Sequence, residues 1–235
     1  MSLRARDAGT TSVPENPEDN AAIPRADIGA GRTLAVVAVL CFGGLVASVM
    51  KTLFTRFQPE LPATLGTSIE NASWVITATL LGGAVAMPIA GRLADMFGKQ
   101  RVLAVSAAFL VLGSAIAEAG SSLPTLVAGR AVQGMAMGFI PVGISLMREV
   151  TPDHLTSMAV SAMSAMMGVG AGIGLPLAAW ISETADWHVL FWMSGGLGLI
   201  VLTLTLLVVP HIDDAVGGRL DLIGALGLAV GLIGV

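Results

Sequence analysis

An arginine at 130 and a glutamine at 133 lie inside a stretch, 123–147, that is otherwise almost wholly apolar or small. A lysine at 51 lies inside a second such stretch, 33–57. A guanidinium offers five N–H donors and keeps its charge, an ammonium offers three, and an amide both donates and accepts. Away from water such groups can grip an anion or a polar molecule, or they can tie neighbouring helices together. None of them attacks a bond. Arg130 stands seven residues beyond Leu123, about 10 Å along a helix. An arginine at that depth in hydrocarbon costs from about 2.5 to over 10 kcal/mol, depending on the scale. Its side chain is therefore expected to face protein or a hydrophilic hollow. Arg130, Gln133, Met137, Pro141 and Ser145 recur at helical spacing and form one small and polar stripe, expected to face an internal cavity. Ser48, Lys51, Thr52, Thr55 and Gln58 give the first stretch a polar face of its own. Lys51 lies about 9 Å inside its stretch, close to the depth of Arg130. Two cations at one depth repel, so an anion or water is expected between them. The alternative for Lys51, and the expectation for Arg56, is that the alkyl stem carries the charge out to the headgroups.

The elements that position these residues follow from composition. Of 235 residues, 54 % are hydrophobic and only 12 % are charged. Soluble domains carry about 25 % charge, so a wetted surface cannot be built from this chain and a soluble enzyme is excluded. The net charge of -4 gives no reason to expect nucleic acid. The single cysteine, Cys41, rules out an internal disulfide and a cysteine-based metal cluster. A helix needs about 20 mostly apolar residues to span a bilayer. Candidate spans are 33–57, 74–93, 102–119, 123–147, 157–181, 189–209 and 222–235. The first six are long enough. The seventh stops at Val235, about 21 Å of helix, and is expected to be an incomplete span. Residues 1–32 hold five acids and three prolines with no apolar run, and are expected to form a disordered tail. Residues 210–221 form the loop before the seventh stretch. The chain is thus all-α and polytopic, and no segment outside the bilayer is large enough to be a catalytic domain.

Charge gives the orientation. Nine of the twelve basic residues fall in the tail or in segments on the tail's side of the bilayer: Arg4, Arg6, Arg25, Arg32, Arg92, Lys99, Arg101, Arg148 and Arg219. The opposite loops near 120–122 and 182–188 hold none. This is the positive-inside pattern, with the N-terminus cytoplasmic in a plasma (inner) membrane. Trp74, Trp180, Trp187 and Trp192 all fall at outer span ends, where amphipathic rings favour the interface.

Two further patterns complete the site residues. Between spans two and three the chain reads Gly91-Arg-Leu-Ala-Asp95-Met-Phe-Gly98-Lys99-Gln-Arg101. Its glycines permit a tight turn, and Asp95 can pair with the nearby cations or with helix ends. Span five holds Gly168, Gly170, Gly172 and Gly174 as two interleaved Gly-x-x-x-Gly pairs, followed by Pro176. Such pairs let a neighbouring helix approach closely, and Pro176 can bend the outer end. Met158, Met163, Met166 and Met167 in span five can line a cavity or fill a core.

The Gly91–Arg101 segment resembles the cytoplasmic signature of the major facilitator superfamily, Gly-x-Leu-Ala-Asp-Arg-x-Gly-Arg-Lys, with Met96 and Gln100 as departures. Arg130-Ala-Val-Gln133-Gly134 resembles the family's Arg-x-x-Gln-Gly signature in span four, and Gly168–Pro176 loosely resembles its span-five antiporter signature. Asp186-Trp187-His188 before Phe191-Trp192 resembles the entry to span six in multidrug exporters of the superfamily, and the short loop ending Gly218-Arg219-Leu-Asp221 is similar to the fourteen-span drug:proton antiporter branch. The resemblance covers 33–235 and implies a six-helix N-terminal bundle of two inverted three-helix repeats, plus part of a seventh helix. It implies an inner gate at Gly91, Asp95, Gly98, Lys99 and Arg101, and a substrate and coupling cavity at Arg130, Gln133, Lys51, Thr55 and Met137. It further implies a secondary active transporter, coupled to protons and exporting drug-like or small organic compounds. Its partners are the lipid bilayer, a small-molecule substrate and protons, with no cofactor. The C-terminal half is missing from this chain, so 1–235 is expected to be half of the machine, an inactive half, or one subunit of a split transporter.

One departure bears on coupling. Members of that branch carry an Asp in span one nine residues before a Leu-Pro exit. Here Leu61-Pro62 matches the exit and Leu53 stands at the acid's place. No Asp or Glu lies inside any apolar stretch, and Glu60 and Glu118 sit at outer ends. A proton carrier needs a group titrating near ambient pH. It is expected to be an outer-end acid such as Glu60, or to lie in the missing half. Ser48, Ser161 and Ser164 have no intramembrane His or carboxylate partner, which argues against catalysis. A seven-span receptor would need a complete seventh span and larger outer loops.

Overall fold

The structure, a computed structural model, describes residues 29–211 apart from Ser121 and Ala185. The expected tail before Gly29, the loop from Ile212 and the seventh stretch lie outside the described residues, as does the side chain of Arg56. The helices are α1 (Ala30–Phe57), α2 (Leu61–Leu65), α3 (Ile69–Phe97), α4 (Lys99–Glu118), α5 (Leu123–Met135), α6 (Phe139–Val150), α7 (Asp153–Thr184) and α8 (Val189–Val208). A 3-10 turn, Ala136–Gly138, joins α5 to α6. Spans one to six are α1, α3, α4, the α5–turn–α6 unit, α7 and α8, and each is long and apolar enough to cross a bilayer. Leu34, Trp74, Trp192 and Leu207 are each more than half exposed on the outside of the bundle, where lipid rather than water would meet them.

Helix ends outrun the apolar stretches. The expected loop between 93 and 102 is helical on both sides of a single residue: α3 runs to Phe97 and α4 starts at Lys99. Gly98 makes the corner with φ 90, a conformation a side chain would strain. Polar residues that leave the hydrocarbon still continue a helix, because backbone pairing does not end where apolarity does. Spans two and five start and stop several residues beyond 74–93 and 157–181 for the same reason. At the other end of α3, Ser68 caps the helix and its Oγ accepts from the Asn71 amide at 3.3 Å. The α5–α6 break sits just before Pro141, which has no N–H for the Met137 carbonyl and crowds it, so the preceding turn tightens.

The packing has an internal symmetry. The principal contacts join α1 to α7, α3 to α5, α4 to α5, α4 to α8 and α1 to α8. In span numbers these are one–five, two–four, three–four, three–six and one–six. Exchanging spans one to three with four to six carries one–five onto two–four and one–six onto three–four, and leaves three–six in place. Spans one and four run in opposite directions. The bundle is therefore two three-helix repeats of inverted topology.

Glycines set the closest of these contacts. Gly170 and Gly174 of α7 lie on α1, where an added Cβ would meet the Leu45 carbonyl at 2.5 Å and Thr52 Cβ at 2.8 Å. The symmetry-related seam is built alike: a Cβ on Gly134 of α5 would overlap the Thr79 carbonyl oxygen of α3, and one on Gly82 the Ala131 carbonyl oxygen. In lipid, close backbone approach replaces the hydrophobic drive as the source of helix association. Gly168 and Gly172 have nothing near them. Only one of the two interleaved pairs in span five packs, because the α7–α1 contact is confined to one face of α7. Helix α7 continues through Pro176 to Thr184.

Candidate functional site

Arg130 is 6 % exposed and Gln133 is 5 % exposed, so neither faces the surroundings of the bundle. One turn of α5 separates them, and Arg130 Nη1 donates to Gln133 Oε1 at 2.6 Å. A guanidinium has no acceptor, so the amide must turn its oxygen toward the arginine and its NH2 away. That NH2 reaches Ser114 Oγ of α4 at 2.8 Å and Ser194 Oγ of α8 at 3.2 Å. Ser114 donates to the Leu110 carbonyl at 2.7 Å and lies 3.0 Å from Ser194 Oγ, which donates to it. Every polar atom beyond Gln133 is satisfied, and spans three, four and six are joined at one point.

Arg130 itself is less complete. Its Nε is buried and without a hydrogen-bond partner. Its Cζ lies 3.7 Å from the Phe54 ring centroid, and Phe54 in turn meets Phe191 at 5.1 Å. Among the described residues no carboxylate pairs with it. A buried guanidinium held by one amide and one aromatic face is only partly compensated for the water it has lost.

A cavity of about 190 Å3 opens onto this group. Lys51 and Thr55 of α1, Arg130 and Gln133 of α5, and Met137 line it, so the five expected cavity residues stand on one hollow. Its remaining walls are chiefly apolar and include Phe54, Leu80 and Phe139. No Asp or Glu is among the described residues that line it. Lys51 is exposed, and Thr55 Oγ1 donates to the Lys51 carbonyl at 3.0 Å.

Several expectations change. Pro141 and Ser145 do not line the cavity. The three residues of the 3-10 turn add about 20° each to the α-helical rotation, which carries the stripe away from its first direction. The polar face of span one divides. Lys51 and Thr55 turn to the cavity, whereas Ser48 and Thr52 pack on Gly170 and Gly174. Residues three apart on a helix differ by about 60° in direction, enough to serve two neighbours. Leu53, at the place of the expected acid, is fully buried in the core and off the cavity. Of the span-five methionines, Met163 is core, Met158 and Met166 are exposed, and none lines this cavity. Ser114, Ser194 and Phe54 were not singled out by spacing. The signal was there for the serines: each is a hydroxyl beside a glycine, Gly113-Ser114 and Ser194-Gly195, in an apolar span.

The Gly91–Arg101 segment lies at the opposite end of spans two and three from Trp74. Lys99 forms an ion pair with Glu149 of α6, not with Asp95. Gln100 Nε2 donates to the Val209 carbonyl at 2.8 Å, and its Oε1 lies 3.0 Å from His211 Nδ1. The first turn of α4 thus holds the ends of spans four and six. Asp95 and Arg101 are exposed, Gly91 has open space around it, and among the described residues Asp95 has no ion-pair partner. At the other end, the Asp186 carboxylate accepts from the His188 backbone N–H at 3.0 Å and also bonds its ring. These bonds hold the Asp186 carboxyl below the usual range.

Known proteins of the same build are numerous. An uncharacterised MFS-type transporter of Mycobacterium tuberculosis is 32 % identical over 196 residues, covering 83 % of this chain and 28 % of that one. A triacylglyceride transporter of Mycobacteroides abscessus is 30 % identical, over 87 % of this chain and 39 % of the relative. Multidrug resistance protein 3 of Bacillus subtilis is 25 % identical, over 86 % and 39 %. The chain therefore spans well under half the length of these relatives. Among solved structures, the xylose transporter XylE from E. coli, partially occluded and inward open, superposes with a TM-score of 0.70 at 17 % identity, over 87 % of this chain and 54 % of that one, a likeness of fold alone. The profile of the Major Facilitator Superfamily matches residues 40–228. With six membrane-capable helices among its described residues, in two inverted repeats, and a profile match over most of its length, this chain belongs to the major facilitator superfamily.

Proposed function

We propose that this chain is the N-terminal bundle of a secondary active transporter that exports drug-like or small organic compounds in exchange for protons, in the fourteen-span branch of the superfamily. Transport proceeds by rocking of this bundle against a second one around a midplane site. The bundle sits in the plasma membrane with its N-terminus and the Gly98 corner in the cytoplasm, consistent with Arg92, Lys99, Arg101 and Arg148 at that end. The observation that carries the reading is the buried Arg130–Gln133 network on a cavity. A charged group at membrane depth is costly and marks a pathway more often than a packing site. The relatives' printed names, multidrug resistance and triacylglyceride transporter, bracket the cargo between drug-like and lipid-like apolar compounds.

On this reading the Lys99–Glu149 pair and the Gln100 bonds form part of the inner latch, with Gly91, Asp95 and Arg101 free to meet the second bundle. Helix α7 presents Gly168 and Gly172 for the same purpose. The group that carries the proton is an outer-end acid such as Glu60 or belongs to the second bundle. The test is drug-driven proton flux in proteoliposomes. Residues 1–235 alone are expected to be silent, and the chain joined to a second six- or seven-span bundle is expected to alkalinise or acidify the lumen with a drug gradient. Coupled flux from 1–235 alone would overturn the half-machine reading. Absence of gradient-coupled flux from the two-bundle protein across cationic, neutral and anionic compounds would overturn the transporter reading.

A further inference from the structure

We infer that the cavity under Arg130 and Lys51 is a binding site for a small organic anion, a carboxylate on a compact apolar or aromatic body. This deepens the transporter reading and rests on it. Four observations converge. Arg130 is almost fully buried, yet its Nε has no partner and its one described hydrogen bond goes to a neutral amide. Lys51 stands on the same cavity, so the wall carries two positive charges. No carboxylate among the described residues neutralises either, and the family-like acid position of span one is the buried Leu53. The remaining walls, with Phe54, Leu80, Met137 and Phe139, are apolar.

A carboxylate satisfies this arrangement term by term. It accepts from the Arg130 guanidinium in a charge-assisted bond, which is stronger than the bond to a neutral amide that the group makes now. It also lies between two cations that otherwise repel in a medium of low polarisability. The apolar body takes the place of water against the aromatic and aliphatic walls. Size narrows the class. The hollow is about 190 Å3, below the usual drug-sized range of about 300–1,000 Å3, so it holds one ring or a short chain. A cationic drug has no partner here and meets repulsion from both walls.

The test uses three molecules of one shape and different charge: 4-fluorobenzoate, 4-fluorobenzamide and 4-fluorobenzamidine. Binding to the 235-residue chain in zwitterionic nanodiscs is followed by 19F NMR. Fluorobenzoate is expected to bind about tenfold or more tighter than the amide, with no saturable binding of the amidine. Lys51→Gln, at an exposed position that leaves the core untouched, is expected to weaken fluorobenzoate about three- to tenfold and leave the amide unchanged. Arg130→Gln is expected to abolish the preference, with helicity checked by circular dichroism. The amide or amidine binding as tightly as the acid overturns the inference while leaving the transporter reading intact, and so does binding of none of the three to folded protein. Displacement of fluorobenzoate when the nanodisc lipid is replaced by an anionic one assigns the site to a lipid headgroup and equally overturns it. Failure of coupled flux with charge-selective binding intact overturns only the transporter reading.

Discussion

The Arg130 guanidinium lies over an aromatic ring of this bundle's first span: its Cζ is 3.7 Å from the centroid of the Phe54 ring. Span four thereby holds its charge against span one, with no acid paired to it among the described residues. A cation over an aromatic face gains about 2 kcal/mol when both are out of water. Phe54→Leu keeps the volume apolar and removes the ring's negative face. It is expected to lower stability by about 1–3 kcal/mol in a mixed-micelle unfolding titration. In an Arg130→Met background the same change is expected to cost about 0.5–2 kcal/mol less. Strictly additive losses would show that the contact carries no energy.

Span five offers a contrast within one helix. Gly170→Leu and Gly174→Leu drive side chains into the backbone of α1, and each is expected to destabilise by about 1–3 kcal/mol. Gly168→Ala and Gly172→Ala meet open space and are expected to be neutral or stabilising by up to about 1 kcal/mol, the helix propensity gained. Equal losses at all four positions would contradict the assignment of the α1 seam to one face.

The Lys99–Glu149 pair is 13 % and 26 % exposed, so water screens it in part. Lys99→Glu is expected to destabilise the Gly98 end, and Lys99→Glu with Glu149→Lys to recover most of the loss. The coupling is expected to be about 1 kcal/mol, smaller at high salt. A double variant no better than the single one would mean that the two charges do not interact.

The loop between α7 and α8 carries the pH dependence. The Asp186 carboxyl is lowered first by the His188 backbone N–H, then by the ring. A depressed native value means that the interaction stabilises the loop above the unfolded carboxylate range and is lost as pH falls through the native value. A side-chain 13C titration of Asp186 is expected to give a midpoint below the unperturbed value of about 3.9. His188→Ala removes the ring bond and is expected to move the midpoint up, while the backbone bond keeps it from returning fully. A midpoint at or above the free value would contradict the hydrogen-bond geometry.

The bundle was legible because lipid imposes a coarse rule. Twenty apolar residues make a span; Arg130, Gln133 and Lys51 stood out because such residues are costly there, and Thr55 and Met137 followed from them by helical spacing. What escaped was set by neighbours. Ser114 and Ser194 matter only because α4 and α8 meet beside Gln133. Phe54 looked like any core aromatic until span four brought a cation over it. Pro141 and Ser145 left the cavity because a three-residue turn rotated them, and a strict α-helical period cannot register such a turn. The Gly91–Arg101 segment read as a loop because its polarity was taken for irregular backbone, although only Gly98 breaks the helix.

The account depends on Arg130 being walled off from acyl chains. The direct measurement is the side-chain Nε–H resonance of Arg130, assigned through Arg130→Lys, in nanodiscs doped with a nitroxide confined to the lipid tails. The account predicts that this signal keeps its intensity while the exposed indole N–H groups of Trp74 and Trp192 broaden. Broadening of the Arg130 signal to the same degree as those indoles would place its guanidinium in the lipid and contradict the cavity, the anion site and the carrier mechanism together.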